Sequence, residues 1–334
     1  MIHINKVFYL LLLLAVVSCD RSRNLEIDTS DINVNIEIRR YGEALFSRDP
    51  DRLDIEQIQD WHKDYPFFVD AGVDSSDLRA LVDYLQDPVN KDLYKSVADT
   101  YDTIQDLEAE LSDYFRHLKY YFPNYQVPTV YTYISSLNIE QPVLYVDTVL
   151  AVGLDMYLGR GTKYYDMAGI PKYMSKWFVS ERIVPDVCDA MLSEQIVKHK
   201  DPSLLDYMVE SGKLYFLMDA LMPWKEDNVK IRYTKEQLSW IEEHEIFVWG
   251  LILEEELLFS RERSKIKSFI DEGPFTSTIS KKAPPRIAHW LGWQMVRAYM
   301  DKNQEVHISK LLNETDSRKI LKQSGYKPAQ KATR

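Results

Sequence analysis

Cysteine is nearly absent from this 334-residue chain, which has only Cys19 and Cys188. If Cys19 is spoken for, no internal disulfide exists and the fold holds by packing alone. Glycine is scarce as well, with 11 residues, and neither GxxxxGK[ST] nor GxGxxG occurs, so no phosphate-cradling loop is expected. The seven histidines are scattered, and no pair has the HxxxH or HxH spacing of a metal site. A GxSxG nucleophile elbow is missing too. The one strongly apolar stretch near the start, residues 7–17, is shorter than the ~20 residues a membrane-spanning helix needs. Basic residues are outnumbered, and the net charge is −11. That balance argues against nucleic-acid binding and against direct attraction to an anionic membrane.

What is present begins at the N-terminus. Lys6, the apolar run and Ala15-Val16-Val17-Ser18-Cys19 follow the grammar of a secretory signal ending in a lipid-attachment cysteine. Residues 1–18 are therefore expected to be a cleaved leader, and Cys19 to carry two acyl chains, palmitate among them, enough for stable anchoring. Val16 stands where leucine is commoner. Residues 19–35 are read as anchor and tether, 36–325 as one globular domain and 326–334 as a tail. The expected location is the cell envelope, with the body outside the cytoplasm and no transmembrane helix.

Ile32–Ile38 alternates apolar and polar, as a half-buried strand does. Helices are predicted over 55–68, 76–86 and 102–120, and strands within 127–134, 143–146 and 149–157. After Gly159 the pattern is helical: 171–182, 185–199, 202–221, 234–259, 261–270, 286–301 and short pieces within 306–323. Thr234 to Gln237 reads as a capping box and Asp201-Pro202 as a helix start. The order implies an α+β fold, predominantly helical, with a small antiparallel or mixed sheet before a helical half.

Four segments resemble the gliding-motility lipoprotein GldB family: Leu154 to Gly159, Ile170 to Met174, Glu181 to Val187 and Gly212 to Pro223. The layout is also similar, more distantly, to gluzincin-type zinc peptidases. In that comparison the frame of HExxH falls on Pro185-Asp186-Val187-Cys188-Asp189, with Glu210 on the next helix and residues 285–296 as the C-terminal helix. Pro185 and Asp189 replace both imidazoles, so the likeness implies a degenerate, peptidase-like scaffold without peptidase activity, metal or cofactor.

The expected site is thus vestigial: Pro185, Asp186, Asp189 and Glu210, with a binding groove at Tyr173, Trp177, His289 and Trp293. The function implied is a noncatalytic envelope lipoprotein of gliding motility or associated secretion machinery, holding protein partners. Two alternatives stand beside it. One is a metal-dependent peptidase or amidase using Asp186, Asp189 and Glu210, the same carboxylates that would hold a hard cation. The other is a periplasmic binder of peptides or glycans. Cys188 is read as buried and inert, and Glu243-His244-Glu245 as a solvated helix face.

Overall fold

The computed structural model describes residues 23–69 and 72–328; Cys19 and the expected leader, residues 1–18, lie outside them. The fold is α+β and mainly helical, as expected. Its sheet has four strands, β1 (Ile38–Arg40), β2 (Thr129–Tyr133), β3 (Val143–Val146) and β4 (Val149–Gly153), in the order β1-β2-β4-β3. β1 and β4 flank β2 in parallel, and β3 closes one side antiparallel to β4. β3 is consequently an edge strand.

The alternation at Ile32–Ile38 yields a strand only from Ile38. Ile36 and Ile38 are buried, but their N–H groups donate to Ser112 Oγ (2.8 Å) and Glu108 Oε1 (2.9 Å) on the helix Gln105–Tyr121. Helix side chains thus stand where a further strand would pair. β4 ends at Gly153 and not near 157. The buried Asp155 accepts hydrogen bonds from Ser135 N (2.7 Å) and Leu137 N (2.7 Å), which curls Leu154–Tyr157 into a 3-10 turn. The helix expected to 68 stops at Trp61, short of Pro66, whose ring disfavours helix in the residue before it. A helix at Pro88–Thr100 was not foreseen; Asp87 caps it and Pro88 opens it.

In the second half, the helices Leu204–Leu221 and Ile287–Lys302 cross at the centre of the core. The crossing is backbone against backbone. A Cβ on Gly212 would lie 2.3 Å from the Gly292 carbonyl oxygen, and one on Gly292 would lie 1.8 Å from that of Met208. Ser203, not Asp201, caps the first of these helices, in a reciprocal box with Asp206. Asp201 pairs instead with Arg261 at 3.2 Å. The Thr234–Gln237 box forms as read.

The described parts of both expected appendages pack on the body. From Arg23 onward the tether is docked: its N–H donates to Asp301 (2.7 Å), and Leu25, Ile27 and Val34 pack on the core. At the other end Tyr326 donates to Glu245 Oε1 (2.6 Å) and meets Trp249 edge-on. Glu245 also accepts from Trp290 Nε1 (2.9 Å), and His244 stacks on Trp240. Of the 243–245 stretch, Glu243 is exposed as read, whereas His244 and Glu245 are half-buried and engaged.

Candidate functional site: a cleft beside the edge strand

The helix Ile183–Leu192 follows directly on the 3-10 turn Ser180–Arg182. Pro185 sits in its first turn, where the missing N–H costs nothing, and is buried. Asp186 and Asp189, three apart, share one helix face. They face a cavity of about 330 Å³. Its other walls are the run Ile139–Val143 leading into β3, the aromatic pair Tyr173 and Trp177 with Met174 and Phe178, and Arg232 and Glu272.

Asp186 is heavily engaged. It accepts from Tyr157 Oη (3.0 Å) and Arg232 Nη2 (2.8 Å) and is in contact with Arg182. Burial alone would raise its pKa, but the two guanidinium groups outweigh that and hold it below the ordinary carboxylate value. Arg182 is 2% exposed and spends Nη1 on the Val229 and Lys230 carbonyls (2.6 and 2.8 Å). Arg232 reaches Asp186 from a left-handed backbone conformation (φ 59°) at the end of the helix Asp227–Ile231, a conformation that a non-glycine residue adopts at some cost.

Asp189 is different. Among the described residues its carboxylate has no hydrogen bond and no ion pair. Burial pushes its pKa up, Arg232 opposes this and the neighbouring Asp186 adds to it. A half-buried carboxylate facing a cavity with nothing bonded to it can receive a cation from outside the chain.

The sequence-derived set therefore divides. Tyr173, Trp177, Asp186 and Asp189 line one cavity. Glu210 does not join them: it accepts from His199 N (2.8 Å) and from His199 Nδ1 (2.7 Å). The convergence expected of Asp186, Asp189 and Glu210 is thereby corrected, and no group of three or more His, Cys, Asp or Glu able to hold a metal occurs among the described residues. Trp293 lies in the core and His289 is half-buried beside it; neither lines the groove. Trp293 is fully buried and donates to Asp219 Oδ2 (2.7 Å), in a network with Lys230 (2.9 Å from Asp219) and Arg297 (2.7 Å). His289 packs near Tyr215, and burial followed by the charge of Arg286 lowers its pKa to about 3. Among the described residues its Nδ1 has no hydrogen-bond partner. Cys188 is fully buried, and desolvation, then Asp189, drive its thiol pKa far up, which disfavours the thiolate that a nucleophile needs.

The residues missed were Tyr157, Arg182, Arg232, Glu272 and the 139–143 run. Only Arg182 had a local signal, standing four residues before Asp186 on the approach to the same helix.

His199 supplies a pH-dependent contribution elsewhere. Burial opposes its charging, but the Glu210 hydrogen bond and Asp206 (3.6 Å) prevail, and its pKa is raised. The imidazolium is thus bound more tightly in the fold than in the unfolded chain. Its contribution is complete below the unfolded value near 6.5 and fades as pH rises through the higher folded value. The penalty of His199→Ala in urea unfolding should accordingly be larger at pH 6 than at pH 9; an equal penalty at both would refute the assignment.

A search of curated proteins and a search of solved structures return no match. Residues 22–328, nearly all of the chain, match the family described as gliding motility protein GldB. With that coverage, and with a mainly helical α+β body running through the matched span, the chain belongs to the GldB family.

Proposed function

We propose that this GldB-family protein is a membrane-anchored envelope lipoprotein that serves gliding motility or its associated secretion machinery without catalysis, by holding an extended segment of a protein partner in the cleft beside β3. Family membership and the cysteine at the end of the leader support the anchoring. So does the fact that no helix among the described residues is long and apolar enough to cross a membrane. The observation that carries the binding role is the unpaired carboxylate of Asp189, set in a cavity that runs to the edge strand. β3 has no second strand partner, the helix Ile183–Leu192 packs beside it, and the cavity reaches its first residue, Val143; a strand without a partner on one side can take up an incoming extended chain. Tyr173 and Trp177 offer apolar surface, and Asp189 offers a counter-ion for a lysine or arginine of that chain.

Selection from a random peptide library tests this. Bound sequences should be rich in basic residues and lack helix-forming pattern. Tyr173→Ala should weaken the selected peptide about tenfold, equivalent to ~1.4 kcal/mol. Asp189→Asn should weaken it as well, and at pH 7 should raise the melting temperature, since it removes a charge that the fold disfavours. That gain should shrink as pH falls through the raised pKa of Asp189, where the wild-type group is itself neutral. No enrichment, or undiminished binding by both variants, would overturn the reading.

A further inference from the structure

The anchored end has a defined place on the body. Arg23 is fixed to the end of the Ile287–Lys302 helix: its N–H donates to Asp301 (2.7 Å) and its Nη2 to the Gln304 carbonyl (3.2 Å). Arg23 shares a surface hollow with Leu25, Phe216, Pro223 and Lys225. Cys19 is four residues before Arg23, so a fully stretched chain separates the two by about 14 Å at most. A chain of this size has a radius of gyration of about 20 Å. The far side of the body is then out of reach of the anchor, and the surface around Arg23 is the one held next to the lipid.

That surface carries two exposed amphipathic aromatics. Trp224, next to Pro223 and Lys225, is 42% exposed and donates to Glu110 Oε1 (3.2 Å), with its ring edge-on to His117 at 5.2 Å. Tyr120, one turn further along the same helix as His117, is 49% exposed and lies edge-on to Tyr121. Exposed Trp and Tyr are disfavoured in water and suited to the interface between headgroups and acyl chains. The cations here are largely matched within the protein: Lys225 pairs with Glu110 (2.6 Å), Lys230 with Asp219 (2.9 Å) and Arg297 with Asp219 and Asp227 (both 2.7 Å). They leave little free positive charge to draw an anionic headgroup.

We infer that the face formed by Arg23, Tyr120 and Trp224 rests on the membrane surface, with the two aromatic rings in the lipid interface, so that the body is held in one orientation and not swung on a free tether. The inference rests on acylation of Cys19. Because it depends on the short link and the aromatics, the contact should persist at high salt and need no anionic lipid.

The test uses the full acylated protein in phosphatidylcholine vesicles that contain lipids spin-labelled near the headgroup. Intact mass first establishes the acyl chains on Cys19. The tryptophan emission of the wild type should be quenched by the labelled lipid, equally at low and high salt, and Trp224→Phe should remove most of the quenchable part. Acylated protein whose quenching is the same with and without Trp224 would overturn the inference while leaving the anchoring intact. A mature chain with no lipid on Cys19 would overturn both.

Discussion

A Gly292→Ala chain is expected to be destabilised by about 3 kcal/mol or more, and Gly212→Val by more still, to the point that little folded protein accumulates. The cause is local and severe. A methyl group at 292 would sit 1.8 Å from the Met208 carbonyl oxygen and 2.4 Å from its carbon, both backbone atoms of the facing helix. No side-chain rotation relieves that contact; the two central helices must move apart and every layer of apolar contact between them must open. Gly250 makes the contrast. It also lies inside a helix, but nothing stands within 4 Å of its prospective Cβ. Gly250→Ala should therefore stabilise the chain, by roughly 0.5–1 kcal/mol, through helix propensity alone. Thermal unfolding of the two alanine variants gives opposite signs on this account, and equal, small effects would contradict the described crossing.

Asp186→Ala should have the second large effect, about 3–5 kcal/mol. Removing this carboxylate strands Arg182, which is 2% exposed, takes from Arg232 its 2.8 Å partner, and leaves the Tyr157 hydroxyl without its acceptor. Asp186→Asn should lose most of the same stability, since it keeps the shape and not the charge. The pH dependence follows from the lowered pKa. The contribution of Asp186 is complete above the unfolded value of 3.8 and is lost as pH falls through the still lower folded value. The gap between wild type and Asp186→Asn in urea midpoints should hold constant from pH 7 to about pH 4 and close below that. A gap that closes already near pH 6 would mean that the arginines do not hold Asp186 charged.

How much of this was readable in the residues depends on the range of each interaction. The helix Gln105–Tyr121 was legible because Leu107, Leu111, Tyr114, Phe115 and Leu118 lie at three- and four-residue spacing and all are buried. The helix Leu204–Leu221 has apolar residues on nearly every side, so its weak periodicity gave only its length, and a local capping box fixed its start at Ser203 and not at Asp201. The strand read over residues 32–38 begins only at Ile38, because the alternation records burial, not the partner that the backbone finds. On the cleft, Tyr173, Trp177, Asp186 and Asp189 come from one short stretch and could be grouped. Arg232 and the 139–143 run come from distant segments and are joined to them only by tertiary packing. Glu210 was misplaced by an alignment frame; its neighbour is His199, eleven residues away. Trp293 carries the aromatic composition of a groove, but its indole N–H is taken by the buried Asp219.

The central claim is that the cleft beside β3 engages a partner chain. The most direct measurement places a photo-crosslinking residue in the full-length protein in its own cells, at Gln141 or Tyr173 on the cleft wall, and at Lys265 on a surface remote in sequence as a control. The account predicts a discrete adduct of one mass from both cleft positions, lost when Asp189→Asn is added, and none from Lys265. Adducts equally strong at all three positions, or none at the cleft in protein that is folded and membrane-bound, would contradict it.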